Sequence, residues 1–381
     1  MYVVVIGIVL GLLTGVSWGF YPIFAKKQKG TPDNWLLGSC YGMGISSFVI
    51  LGIVACASPQ ALQDLNWMVF LLEVITGIAW TVTMIAQFSL IKLIGTAKGL
   101  SVANGGKTVM ATLFSVFFLG TWLFNAQKIF GFAMIILIVL GVLLINHHNH
   151  RYHQRVVKHN KKLIKKTFSD KQTHITWFSN HKIWVYLAVL SFASIAFSQF
   201  PSMIDKLQVG SGGWTNPYFS GLIKYIPQAI GAFIGGVSIV YFRARFIFKD
   251  MRVFIARSTH RNIIDGFIYA SGMICYLYSA FLLNNETNKE IIGGQGIDAG
   301  AGATAFALTN FANIVSAFGG IFILKEKFTK HELIYFIAGA LVITGAAIMV
   351  TFTDSMPFLA TWGKTQPIIK SSYIVYPYIT P

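Results

Sequence analysis

Ten apolar stretches recur along the chain, each near the ~20 residues an α-helix needs to cross a bilayer core, and the turns between them are polar or basic. They predict helical spans at roughly 2 to 25, 36 to 57, 67 to 91, 97 to 119, 127 to 146, 183 to 203, 217 to 242, 263 to 283, 303 to 324 and 332 to 352. The last two meet at Lys325, Glu326, Lys327, Lys330, His331 and Glu332. Those charges are too costly for hydrocarbon, so the pair reads as a hairpin whose turn lies in water.

The same pattern occurs earlier, in SVANGGKTVMATLFSVFFLGTW followed by KIFGFAMIILIVLGVLLI. Phe118 to Trp122 falls where Ile323 to Lys327 falls, and Gly141 answers Gly345 if the turn loses one residue. The chain therefore reads as two halves. Five spans per half is an odd number, so a second copy enters the membrane with opposite orientation, a construction common among secondary transporters. The simpler alternative is two hydrophobic hairpins alike only in composition. The expected organisation is an all-α polytopic membrane protein with ten transmembrane helices as two inverted five-helix repeats. Its parts are 1–147, the first repeat; 148–182, a basic His-rich cytoplasmic loop; 183–352, the second repeat; and 353–381, an extended tail with Pro357, Pro367, Pro377 and Pro381.

Composition agrees with the pattern. Hydrophobic residues make up 55% of the 381, charged residues only 11%, and mean hydropathy is +0.62, more apolar material than a soluble core of this length hides. The first span, from Tyr2 to Ala25, is longer than the apolar region of a signal peptide and is expected to remain as a helix. Cys40, Cys56 and Cys275 all lie in apolar runs, which offers neither a disulfide framework nor zinc spacing.

Charge sets orientation. Outside the two intramembrane lysines, 23 basic residues fall in odd-numbered loops and five on the other side. The positive-inside rule makes the odd loops cytoplasmic and both termini external, in a plasma-membrane protein. The net charge of +17 then reflects loops facing anionic headgroups and implies no nucleic acid. The segment 147–182 holds seven of nine histidines. Its VVKHNKKLIKKTF stretch suits an interfacial helix, while His147, His148, His150 and His153 offer a metal-binding alternative without local carboxylate or cysteine. Arg243 to Arg261 interleaves Phe246, Phe248 and Phe254 with basic residues in the same way, and the glycine-rich 285–302 connection reads as a flexible external loop.

Catalytic signatures are absent: there is no His-Glu-x-x-His, no Gly-x-Ser-x-Gly elbow and no intramembrane aspartate pair, which speaks against an enzyme and gives no cofactor site. Polar groups within apolar spans carry the chemistry instead, because each is costly in lipid and turns toward protein or water. Glu73, Trp80 and Gln87 repeat every seven residues on one helix face; Ser101, Asn104 and Lys107 repeat every three. Lys224, Tyr225 and Gln228 surround Pro227, and the ninth span carries Thr309, Asn310, Asn313 and Ser316. Together they suit one polar cavity in which amides and hydroxyls meet substrate hydroxyls and Trp or Tyr faces meet a sugar ring. Interhelical hydrogen bonding explains any one of them equally well. Glu73 and Lys107 are the costly members, either a proton site or a neutralising pair; Asp265 is a second acidic candidate, and Lys224 either contacts substrate or snorkels. Gly105, Gly106, Gly319 and Gly320 fit close packing or hinging.

At these residues the chain resembles the glucose/ribose porter family of the drug/metabolite transporter superfamily. The likeness rests on GTPDNWLLGSCYG, on GIAWTVTMIAQFSLIKLIGTAKGLSVANGG, on YIPQAIGAFIGG and on AFALTNFANIVSAFGGIFILKEKFTKHEL, and covers most of both halves. It implies ten helices in two inverted repeats and secondary uptake of a sugar such as glucose with protons. The departures are Gly120-Thr121-Trp122 for Gly-Glu-Trp, Asn310 and Lys107 where the family has glutamine, and Gly272-Met273 for Gly-Asn. The site expected is Gln87, Asn104, Gln228 and Asn310 on hydroxyls, Trp80 and Tyr225 stacking, Ser101, Lys107 and Asn313 alongside, and Glu73 or Asp265 taking the proton. An exporter of amines, drugs or other metabolites on the same fold, and a membrane sensor or assembly factor acting through the basic loops, are the alternatives.

Overall fold

The structure is a computed structural model that describes residues 2–63, 66–118, 125–159, 181–210, 220–284, 308–326 and 328–353. The Gly120-Thr121-Trp122 correspondence, the basic stretch from 160 to 180, the 285–302 connection and the tail from 354 lie outside the described residues. Among the described residues there is no strand.

The main helices are α1 Tyr2–Lys27, α2 Pro32–Ala57, α3 Trp67–Ile94, α4 Thr96–Phe118, α5 Asn125–His159, α6 His181–Gly210, α7 Ser220–Phe242, α8 Ile263–Asn284, α9 Phe311–Phe318 and α10 Lys330–Phe352, with a five-residue helix, Arg257–Arg261, just before α8. Seven are long and apolar enough to cross a membrane; the apolar parts of α6 and α9 are shorter, and α4 carries polar positions. Their outward surfaces are apolar, with Phe48, Trp67, Ile129, Phe192 and Ile334 exposed, as a lipid solvent requires. α5 runs past its apolar stretch to His159, so His147, His148, His150 and His153 continue the helix.

Local sequence fixes several starts. Thr31 and Asn34 form a reciprocal capping box with Pro32 in the first turn of α2, and Thr329 with Glu332 does the same for α10. Asn66 caps α3 by accepting from Val69 N at 2.8 Å. α7 and α9 each end in a π turn, Arg243–Ile247 and Gly319–Ile323, closed by a lysine in the left-handed region, Lys249 (φ 52°) and Lys325 (φ 53°). Beyond α7, the Arg252 guanidinium hydrogen-bonded to Asp250 holds that exposed carboxyl down at about 2.

Packing is pairwise. α1 lies against α8 and α9, α2 against α7 and α8, α3 against α6 and α7, α4 against α6 and α9, and α5 against α10. The α3 and α7 backbones meet closely: a Cβ on Gly77 would sit 2.0 Å from the Gln228 carbonyl oxygen, and one on Gly231 would sit 2.1 Å from the Val74 carbonyl oxygen. Only glycine lets these backbones touch. The four glycines singled out in the sequence also sit in contacts; Gly319 packs on Ile23, Gly320 on Ala97, Gly106 on Ser191 and Leu187, and Gly105 on Val142.

The basic end is tied by side chains. Glu326 accepts from Lys26 Nζ at 2.6 Å, from Thr96 N at 2.7 Å and from Ala97 N at 3.2 Å, so one carboxylate joins α1 to the N-terminus of α4. Lys98 pairs with Glu332 at 2.6 Å, joining α4 to α10, and Arg243 pairs with Asp33 at 2.6 Å, joining α7 to α2.

Candidate functional site

Where α1, α3, α4 and α8 meet the approach to α9, they leave a small cavity. Trp18 and Tyr21 of α1 and Tyr269 of α8 give it aromatic faces. Met84 and Gln87 come from α3, Leu100, Asn104, Lys107 and Thr108 from α4, and Thr309 and Asn310 from just before α9. A mostly apolar concavity with a few convergent polar groups is the usual form of a small-molecule site.

The aromatic wall is rigid. Trp18 stacks on Tyr269 with centroids 5.3 Å apart and planes at 5°, and Tyr21 meets Tyr269 edge-on at 5.2 Å. Trp80 lies 4.7 Å from Tyr269 and is 1% exposed, so it backs this wall from outside the lining.

The polar wall is a connected series. Lys107 Nζ donates to Gln87 Oε1, Gln87 Nε2 donates to the Tyr21 hydroxyl at 2.6 Å, and that hydroxyl donates to Met84 Sδ at 2.8 Å. Thr108 and Asn310 face each other at 3.3 Å, and Asn104 donates to Asn313 at 2.9 Å. α3 and α4 present these groups because Met84 and Gln87 are three apart, Leu100 and Asn104 four apart, and Asn104 and Lys107 three apart. Each ligand hydroxyl entering here exchanges with a bond already made within the protein.

Of the residues proposed from sequence, Gln87, Asn104, Lys107 and Asn310 line this cavity, and Asn313 stands behind Asn104. Ser101 turns back on its own helix, donating to Ala97 O at 3.0 Å. The others gather elsewhere. Gln228 of α7 donates to Glu73 Oε2, and Lys224 stands one turn away on the same buried face of α7. The Tyr225 hydroxyl is 2.5 Å from Ser46 Oγ of α2. Asp265 is buried near the start of α8, one turn from Tyr269, and its Oδ2 has no hydrogen-bond partner among the described residues. Glu73 and Lys107 are not paired: Glu73 is fourteen positions from Gln87 along α3, ~21 Å at the helical rise.

Trp18, Tyr21, Met84, Leu100, Thr108 and Tyr269 join the lining without having been singled out. Trp18 and Tyr21 are three apart on α1 and so share a face, the one signal available beforehand. Among the described residues no group of three His, Cys, Asp or Glu side chains comes together to hold a metal ion.

Comparison with known proteins follows the same lines. A family model described as "Sugar transport protein" matches residues 9–353. The putative ribose uptake protein RbsU of Latilactobacillus sakei is 25% identical over 347 residues, covering 91% of this chain and 98% of that protein. The glucose uptake protein GlcU of Bacillus subtilis is 26% identical over 343 residues, covering 90% of this chain and 97% of that protein. RbsU of Staphylococcus aureus is 24% identical over 348 residues, covering 91% and 99%.

Proposed function

The chain belongs to the sugar transport protein family, and on that premise we propose that it is a secondary active carrier taking up a monosaccharide or a close polar derivative, by alternating access and with a coupled proton. The observation that carries the reading is the cavity: aromatic faces on one side, amides and hydroxyls on the other, with α1, α3 and α4 contributing from one half and α8 and the approach to α9 from the other. Aromatic planes suit the C–H face of a sugar ring, and amides match paired hydroxyl donors and acceptors.

Ten spans in two inverted repeats are supported by the packing. Exchanging α1–α5 with α6–α10 turns the α1–α8 contact into α6–α3, α1–α9 into α6–α4 and α3–α7 into α8–α2, all of which occur, while α2–α7 and α5–α10 map onto themselves. A carrier built this way opens to either side by rocking one half against the other. Counting basic residues makes the end tied by Glu326, Glu332 and Asp33 cytoplasmic. Asp265, one turn from Tyr269, is our first choice for the coupling proton and Glu73, engaged with Gln228, the second. Among the described lining residues there is an ammonium and no carboxylate, which argues against an amine exporter.

Uptake of labelled glucose, ribose and their derivatives into proteoliposomes, with and without an imposed proton gradient, tests this reading. Gln87→Ala and Asn310→Ala are expected to raise the half-saturation concentration by about tenfold or more each. An unchanged value in both would remove this cavity as the substrate site.

A further inference from the structure

A carrier of neutral sugars needs no ionisable amine where the ring binds, yet Lys107 puts one there. Its side chain is buried at 7% exposure, and its one hydrogen-bond partner among the described residues is the uncharged Gln87 amide oxygen. Four other cations among the described residues are matched: Lys26 by Glu326, Lys98 by Glu332, Arg243 by Asp33 and the exposed Arg252 by Asp250. No carboxylate lies within ion-pair distance of Lys107 among the described residues. A desolvated ammonium without a counter-charge is one of the costlier things a protein interior holds. The cost falls when a ligand brings the missing charge.

We propose that the cavity takes a sugar acid, a polyhydroxylated ring or chain with one carboxylate, whose carboxylate pairs with Lys107 while its carbon skeleton lies along Trp18 and Tyr269. The inference rests on the carrier reading above and narrows its substrate class. The geometry around Lys107 fits one carboxylate. Asn104 lies one turn before it on α4, and Thr108 and Asn310 stand beside it with a hydroxyl and an amide that can turn from each other toward an anion. A sugar phosphate carries more charge, and its recognition draws on several cations or a guanidinium fork. The described lining holds one ammonium and no arginine.

The test uses the full-length protein in proteoliposomes with four labelled probes, gluconate, glucuronate, glucose and glucose 6-phosphate, and compares it with Lys107→Gln, which keeps length and polarity and removes the charge. For the unaltered protein, uptake of gluconate or glucuronate is expected to exceed that of glucose by roughly tenfold or more at equal low concentration, with glucose 6-phosphate excluded. In Lys107→Gln that preference is expected to fall toward one or invert. Preferential uptake of glucose by the unaltered protein overturns the sugar-acid proposal and leaves the carrier standing. Preferential uptake of glucose 6-phosphate does the same. A preference for the acid that survives in Lys107→Gln overturns the assignment to Lys107. If that variant fails to reach the membrane, the unaltered protein's ratio of acid to neutral sugar still decides. Uptake of none of the four by folded protein would sink the carrier reading together with this one.

Discussion

Two buried polar clusters share helix α3, and they are built on opposite plans. Around Gln87 the partners come from α1 and α4, the groups form an open series, and a cavity lies beside them. Around Glu73 a partner comes from α7, at the point where Gly77 and Gly231 let the two backbones touch. The first arrangement borders a cavity; the second packs backbone against backbone. Polar side chains in apolar helices thus divide into those that recognise and those that fasten, and the division follows the helix spacing around them. Where small residues bring backbones together, a polar pair fastens.

The severest way to break the comparison is to force the fastening contact apart. In Gly77→Ala the new Cβ meets the Gln228 carbonyl oxygen at 2.0 Å, so α3 and α7 must separate. Overpacking of this kind costs about 3 kcal/mol. We expect loss of the monodisperse peak in detergent and of uptake. A protein that remained as stable as the parent in a thermal unfolding assay would mean the two helices are not closely held.

Next in size is the open cluster. Gln87→Ala removes the acceptor for Lys107 and the donor to Tyr21 in one step. Losing such partners costs about 1–3 kcal/mol, here expressed mainly in binding because the cavity lets water reach the orphaned groups. The half-saturation concentration should rise by roughly tenfold or more while unfolding temperature changes little. The reverse outcome, stability lost and affinity kept, would make Gln87 a fastener like Gln228.

Glu73→Gln should give that reverse outcome. The amide keeps the shape and can still bond Gln228, so we expect a stability loss of about 1 kcal/mol and a half-saturation concentration within about twofold of the parent. Gradient-driven uptake should survive it. Asp265→Asn should keep downhill exchange and lose the response to the gradient. If Glu73→Gln loses that response instead, the Glu73 cluster belongs to the coupling machinery after all.

The seven-residue spacing of Glu73, Trp80 and Gln87 correctly placed all three on the buried face of α3. What spacing along one helix does not encode is depth relative to other helices, so residues on one stripe fell into different clusters. Gln87, Asn104 and Asn310 were legible because amides are conspicuous in apolar runs. Trp18, Tyr21 and Tyr269 were not, since an aromatic residue in a membrane span is as ordinary at the lipid surface as in a binding wall. Tyr225 looked like part of the same wall but spends its hydroxyl on Ser46. The helix starts at Thr31 and Thr329 depend on contacts within one turn and are readable from four residues.

The smallest effect should come from the basic end, where Glu326 touches neither cluster and yet governs the helix that carries Lys107. Its carboxylate receives Thr96 N and Ala97 N, the first orphan donors of α4, and Lys26 from α1. No acidic residue in the first turn of α4 does this from within the helix. Glu326→Gln keeps an oxygen for one backbone donor and loses the charge that complements the helix terminus and the lysine. Lys26 is partly solvated, so the loss should stay under about 1 kcal/mol. On the proposed carrier reading, a contact that joins α1, α4 and the end of α9 would act on the balance between carrier conformations, and an effect below 1 kcal/mol on that balance would change maximal uptake by only about two- to threefold. Half-saturation, set by the cavity some ~17 Å further along α4 at Lys107, should remain where it was. If both quantities shift together, the basic end and the cavity move as one body, and the separation drawn between recognising and fastening groups would have to be redrawn through α4.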